Sequence, residues 1–347
     1  MRTSNAALFA KEIERALAPA LYKANPIFSD VTRYSLDEIR ALYLLHEKVR
    51  KSKTKEDLEH SIRMFELFRD AMRPLPDAPE RVYLWPRGKI PTHTEYTENP
   101  DFSWLHGPDF EPYYLEILLP EDVTPKGTVI TIAGGQQGPN ILNECYQICL
   151  DFNALGYQCF VLNSRPNACP WSAVESGADV ARCVRMIRAG AKKYRIDPNR
   201  VAVMGMSNGG IAGENCILFF SGSQKMTDYF PEYEPDELDS LPGCQDVFLC
   251  IYGARHKGTA VDHTRVEYPP TFYATGLEDK LGIENLNEVL MDHFRIGTRL
   301  EIHTYAGHPH GEAGMRILDG IGRPDFDTWI NHADVFMQDT YKNYPKS

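Results

Sequence analysis

Two kinds of hydrophobic spacing divide the chain. Up to Pro79, apolar residues recur at helical intervals: Leu8, Ile13, Leu17 and Leu21, then Ile39, Leu42, Leu45 and Val49, then Leu58, Ile62, Phe65 and Phe68. Such spacing lays each set along one face of a helix and predicts three helices. Ser4 stands where it would cap the first. Ser35-Leu36-Asp37-Glu38 has the form of a capping box for the second, and Thr54-Lys55-Glu56-Asp57 opens the third. The run Pro74-Leu75-Pro76-Asp77-Ala78-Pro79 ends the section.

Beyond it the pattern changes to short apolar runs alternating with longer amphipathic ones. Strands are predicted over 81–85, 113–119, 128–133, 157–163, 200–204, 247–252, 271–275 and 300–305. Helices are predicted over 140–155, 173–194, 208–220, 284–294 and 327–341. From residue 128 onward each strand leads into a helix or a long connection, which implies a mostly parallel sheet covered on both faces. The two earliest strands have no helix between them and suit an antiparallel start. The expected organisation is α/β, with residues 80–347 as one domain. Residues 1–79 form a helical extension that packs, dimerises or caps. The stretch 221–245 is long, acidic and aromatic, the character of a functional insertion. Asp179 with Arg182 and Arg185 reads as an ion-pair face on the helix over 173–194. Trp85, Trp104 and Trp171 read as buried packing or as the lining of a sugar cleft.

Composition narrows the partners. The 347 residues carry a net charge of −11, which argues against nucleic acid, since phosphate binding needs a basic face. No apolar run is long enough to span a membrane. The N-terminal residues lack the apolar core of a secretory signal, so a cytoplasmic protein is expected. Of the eight cysteines, Cys145, Cys149, Cys159, Cys169, Cys183, Cys216 and Cys250 lie mostly in predicted elements, with Cys244 near a loop, as buried thiols do in a reducing compartment. No C-x-x-C pair occurs, and neither a metal nor a cofactor is expected.

The chemistry centres on Gly205-Met206-Ser207-Asn208-Gly209, which follows the apolar run Val201-Ala202-Val203-Met204. A strand turning sharply into a helix exposes its central side chain, and small flanking residues are needed where backbone passes close by. This is the form of a nucleophile elbow in an α/β hydrolase. A serine hydroxyl becomes a nucleophile only when a base takes its proton, usually a histidine held by a carboxylate. Candidates follow in that chain order. The strand over 271–275 leads into Gly276-Leu277-Glu278-Asp279-Lys280, where Asp279 is the preferred acid and Glu278 its competitor. The strand over 300–305 leads into Ala306-Gly307-His308-Pro309-His310-Gly311. Here His310 is the preferred base over His308, because Gly311 gives the backbone room to turn the ring inward. His303 reads as packed or at the surface, and His106, His256, His263 and His332 lack this context. Oxyanion donors are expected from the backbone N–H of Asn208 and from Gly135 or Gln136 in the loop Gly134-Gly135-Gln136-Gln137-Gly138. That loop lacks the lysine and spacing of a phosphate cradle.

With these residues assembled, the chain from Arg81 onward resembles the acetyl xylan esterase and feruloyl-esterase-like α/β hydrolases. The resemblance rests on Leu84-Trp85-Pro86-Arg87-Gly88-Lys89-Ile90-Pro91 and on the approach Arg195-Ile196-Asp197-Pro198-Asn199-Arg200 to the elbow. It rests also on Tyr233-Glu234-Pro235-Asp236-Glu237-Leu238-Asp239, on Pro269-Pro270-Thr271-Phe272 with Asp279, and on His310-Gly311. It implies the α/β-hydrolase fold and a metal-independent serine esterase acting on acetyl or related acyl groups of sugars or small alcohols. Ser207 is then the nucleophile, Asp279 the acid, His310 the base, and Gly135, Gln136 and Asn208 the oxyanion hole. Two departures are Asn208 after the serine and the two glutamines of the oxyanion loop. The two glutamines would make the pocket more polar, which suits a hydroxylated or amide-bearing acyl group. The expected partner is a small-molecule or oligosaccharide ester, with a homo-oligomer formed through the N-terminal helices as a further possibility. The competing readings are an exopeptidase of the prolyl-oligopeptidase type, using Asp236, Glu237 and Asp239, and a catalytically silent binding protein.

Overall fold

The computed structural model describes residues 5–92, 94–97, 106–135, 137–167, 171–253, 261–262, 264–284, 286–314, 316 and 322–344. Ser4, Trp104, Gln136, Cys169, His256 and His263 lie outside them. The strands are β1 (Val82–Tyr83), β2 (Tyr113–Ile117), β3 (Thr128–Ile132), β4 (Gln158–Asn163), β5 (Val201–Met206), β6 (Val247–Ile251), β7 (Thr271–Gly276) and β8 (Leu300–Tyr305). They form one sheet in the order β1-β2-β4-β3-β5-β6-β7-β8. The pairs β1–β2 and β2–β4 are antiparallel, and every later pair is parallel.

Side chains alternate along each strand, so every central strand feeds two cores. Val129, Ala202, Met204, Leu249 and Phe272 pack on one face, while Ile130, Ile132, Val201 and Val203 pack on the other. Helices α5 (Ala173–Ala189) and α7 (Asn208–Phe220) cover the second face; the short α6 (Ala191–Tyr194) follows α5. The first face is covered by α4 (Gln147–Ala154) and the C-terminal helix (Trp329–Asn343), and also by α1 (Asn5–Ser29), α2 (Leu36–Arg50) and α3 (Lys55–Ala71). Leu17, Phe28, Leu42 and Phe65 of these N-terminal helices belong to the same contiguous core as the sheet. Helices α8 (Lys280–Glu284) and α9 (Leu286–Ile296) lie between β7 and β8. No helix of the described residues is long and apolar enough to cross a membrane.

Several local expectations change. Helix α2 starts after Ser35, but that side chain makes no cap bond, whereas the Thr54 hydroxyl accepts from the Asp57 N–H at 3.1 Å. The helix predicted over 140–155 begins instead with a tight turn, Gly138–Asn140, and a wide turn, Leu142–Tyr146, that accommodates an extra residue. The helix over 173–194 breaks at Gly190, against which the Tyr194 ring packs too closely for a Cβ. Asp179 does not pair with Arg182 or Arg185. It lies on the buried side of α5, where Arg165 grips both carboxylate oxygens at 2.7 and 2.9 Å and Trp85 Nε1 donates to it at 2.8 Å. Arg182 and Arg185 face the acidic connection instead, pairing with Asp236 at 2.6 Å and Asp239 at 3.0 Å.

One polar clasp fastens the N-terminal helices to the sheet. Buried Asp30 takes a two-pronged bond from Arg81 at 2.8 and 2.6 Å and a third from the Tyr113 hydroxyl at 3.0 Å. Removing Asp30 takes the acceptor from the partly exposed Arg81 and from the buried Tyr113 hydroxyl. Asp30→Ala should lower unfolding stability by about 2 kcal/mol in a denaturant titration.

Candidate active site

The turn from β5 into α7 forces Ser207 into φ 50°, ψ −118°, a left-handed backbone that few side chains adopt. Its neighbours cannot carry side chains. A Cβ on Gly205 would run into the Gly209 carbonyl, and one on Gly209 into the carbonyl of Ile132 on β3. The Ser207 N–H is held by the Ile251 carbonyl of β6 at 3.1 Å. Close backbone packing therefore fixes where the hydroxyl stands.

Two loops from the same sheet edge reach it. His310, beyond β8, approaches Ser207 Oγ with Nε2 at 2.8 Å and Asp279 Oδ2 with Nδ1 at 2.9 Å. Asp279, just past β7, is almost fully buried; Gly282 N–H donates to its other oxygen at 2.9 Å. Burial alone would raise the Asp279 carboxyl. The bonds from His310 and Gly282, the imidazole's charge and the Thr275 hydroxyl outweigh it and hold the group below its ordinary value. The carboxylate thus stays charged beside the ring at neutral pH.

The alternatives sit elsewhere. The Glu278 side chain is exposed, and only its N–H is engaged, by the His308 carbonyl. His308 is buried, with Nδ1 on Glu312 and Nε2 on Asp325, both at 2.8 Å. His303 stacks between Phe272 and His332 and bonds Glu301. Trp85 and Trp171 are buried, Trp85 on Asp179 and Trp171 among Tyr96, His106 and Phe110.

The glycine loop after β3 comes alongside. Gly134 O accepts from Gln137 N–H at 3.0 Å and Asn140 Nδ2 at 3.2 Å, and Gly135 O accepts from Asn208 Nδ2 at 2.8 Å. In a trans peptide the N–H opposes the carbonyl, so Gly135 N–H points away from the Asn140 amide. Asn208 opens α7, where first-turn N–H groups lack helical partners. Gln136 falls outside the described residues.

Sequence reasoning overlooked Glu144 and Tyr252. Glu144 sits in the wide turn before α4, fully enclosed, accepting from Gly134 N–H at 2.5 Å and from the Tyr252 hydroxyl at 3.1 Å. Burial pushes its carboxyl up, against those two bonds and the nearby imidazole. Tyr252 lays its ring edge-on against His310 with centroids 4.9 Å apart. The available signal was a lone carboxylate inside the apolar run Ile141-Leu142-Asn143-Glu144-Cys145. No group of three or more metal-binding side chains occurs among the described residues.

No protein-family model matches the chain, and no curated relative matches it. Its structure is similar to that of an acetyl ester-xyloside bifunctional hydrolase from Caldicellulosiruptor lactoaceticus, at 21% identity and TM-score 0.55 over 76% of this chain and 96% of that one. It is similar also to esterase Est2 from Thermogutta terrifontis, at 16% identity and TM-score 0.52 over 78% and 97%. The chain has the α/β-hydrolase fold. An α/β hydrolase from a Medee basin deep-sea metagenome library shares it at 17% identity, TM-score 0.50, over 67% and 93%. In these α/β-hydrolase terms Ser207 lies at the strand-to-helix elbow, with Asp279 and His310 after the last two strands.

His308 offers a pH test of the loop that carries His310. Burial would lower its pKa, but the bonds from Asp325 and Glu312 prevail and raise it above the ordinary histidine value. A raised value means that the stabilisation is complete at acidic pH and fades as pH climbs through the elevated pKa. His308→Gln should therefore lower the melting temperature more at about pH 5 than at about pH 9, as read by thermal unfolding.

Proposed function

We propose that the protein is a serine hydrolase of carboxylic esters, working through an acyl-serine intermediate. The observation that carries this reading is the continuous hydrogen-bond chain from Ser207 Oγ through His310 to buried Asp279, at 2.8 and 2.9 Å. In this scheme Ser207 Oγ attacks the ester carbonyl carbon while its proton passes to His310 Nε2. The bond to the alcohol oxygen then breaks, and His310 returns that proton to the leaving oxygen. Water, deprotonated by the same imidazole, attacks the acyl carbon, releases the acid and restores the serine hydroxyl. Asp279 holds Nδ1–H and steadies the transient imidazolium. The oxyanion is assigned to the N–H of Asn208 with that of Gly135 or Gln136. No step uses a metal or cofactor.

The substrates that fit are acetyl or related acyl esters of sugars or small alcohols. Two proteins of similar structure are an acetyl ester-xyloside hydrolase and an esterase with bound propionate. The peptidase reading has less support, because Asp236 and Asp239 are taken up by Arg182 and Arg185. Residues 80–347 are then the catalytic domain and 1–79 a packing extension. The shared core and the contact of α1 with the Gly138–Asn140 turn favour that role over a free arm.

Ser207→Ala should abolish turnover of p-nitrophenyl acetate with an unchanged circular dichroism spectrum. Asp279→Asn should lower kcat by about 10⁴-fold by fixing the wrong imidazole tautomer. A fluorophosphonate probe should modify the unmutated protein once, at Ser207. Failure of both labelling and ester turnover would favour the silent binding protein.

A further inference from the structure

A small cavity of about 10 Å³, room for one water-sized group, lies beside the first turn of α7, walled by the loops after β3 and β4. Gly135, Gln137, Arg165, Asn167 and Asn208 contribute to its wall. Gln137 and Asn167 are only 4% and 7% exposed. Gln137 Nε2 donates to the Ser164 carbonyl and hydroxyl, both at 3.0 Å, and Asn167 Nδ2 donates to the Asn208 carbonyl at 3.2 Å. A backbone carbonyl can only accept, so these bonds decide which end of each amide is oxygen. The two amide oxygens, Gln137 Oε1 and Asn167 Oδ1, are buried with no hydrogen-bond partner. Unmatched buried acceptors are costly, and these two share one cavity wall with space for a single donor group.

The backbone adds an independent sign. Gln137 holds φ 65°, ψ −115°, close to the strained conformation of Ser207. Glycine would hold that turn without strain, yet a long amide stands there. Arg165 is the cation of the wall, but its guanidinium is occupied by Asp179, the Pro91 carbonyl and the Glu175 carbonyl. An anionic ligand would meet two bare carbonyl oxygens. A cation would be desolvated without a counter-ion, since no carboxylate is among the described residues of the wall. What remains is a neutral donor.

Building on the esterase reading, we propose that this cavity is a specificity subsite for a substrate hydroxyl close to the scissile carbonyl. Gln137 Oε1 and Asn167 Oδ1 share its single O–H proton in a three-centre hydrogen bond. The cavity adjoins Gly135 and Asn208, the residues assigned to the oxyanion, so groups attached to a carbonyl held there reach its mouth.

The test compares isosteric esters by pH-stat titration. Methyl lactate against methyl isobutyrate places the hydroxyl on the acyl side; 2-hydroxyethyl acetate against propyl acetate places it on the alcohol side. One hydroxylated ester should show a kcat/KM at least about tenfold above its isostere, and the responding pair names the side. Gln137→Met and Asn167→Leu should each move that ratio toward one. Each ratio compares two substrates on one sample, so partial loss of folded protein cancels. Ratios near one in both pairs overturn the subsite, as does a ratio that neither variant changes. Fluorophosphonate labelling of Ser207 without turnover of any of the four esters overturns it too. Absence of labelling together with absence of turnover fails the esterase reading itself.

Discussion

The tight passage of backbone around Ser207 constrains everything else at this site. Gly205, Gly209 and the Ile132 carbonyl are packed so closely that no side chain fits between them. A turn so crowded can be strained only because its surroundings do not yield. β5 is buried along its whole length between β3 and β6, and α7 is pressed against both the sheet and α5. The dense two-sided core is thus what holds a serine at φ 50°. The same packing explains why an apolar strand precedes the motif and a glycine-rich helix start follows it.

Sheet order does the rest of the assembly. Strands β5, β6, β7 and β8 are neighbours and run parallel, so their C-terminal ends open on one edge. Residues 207, 279 and 310 are distant in the chain yet adjacent there. Burial then sharpens the electrostatics. Asp279 loses water, but His310, Gly282 and Thr275 return more than the lost solvation, and its charge persists. The acidic connection over 221–245 serves a different end: its carboxylates clasp arginines of α5 on the far side of the sheet from the N-terminal helices.

The alternation of strands and helices was legible because a parallel sheet buried on both faces demands apolar runs. The elbow was legible because its crowding demands glycine. Choosing His310 over His308 rested on Gly311, and Asp279 over Glu278 on its place past the strand end; in the structure His310 bonds both Ser207 and Asp279. Asp179 was misread because a helix face seen in sequence cannot reveal Arg165 arriving from another loop. The helix over 140–155 was misread because a wide turn has no signature in hydrophobic spacing. The Ser35 box failed for a related reason: the residue types permit the bond, but backbone geometry decides it. Polar contacts between distant segments are the part that periodicity does not encode.

Glu144 shows how much such contacts matter. A second carboxylate near an imidazole would compete for its proton if it faced the ring. Instead the Tyr252 hydroxyl and the Gly134 N–H take its oxygens, and the Tyr252 ring lies against His310. Burial raises the Glu144 pKa, which weakens its claim on charge further. One of its two hydrogen bonds fixes Gly134 in the glycine loop beside Ser207. One carboxylate, Asp279, holds the His310 ring; the other holds the loop beside the serine, with tyrosine set between Glu144 and the imidazole. Two acids of opposite pKa tendency within one small site thus take separate tasks, and their separation follows from which donors reach each of them.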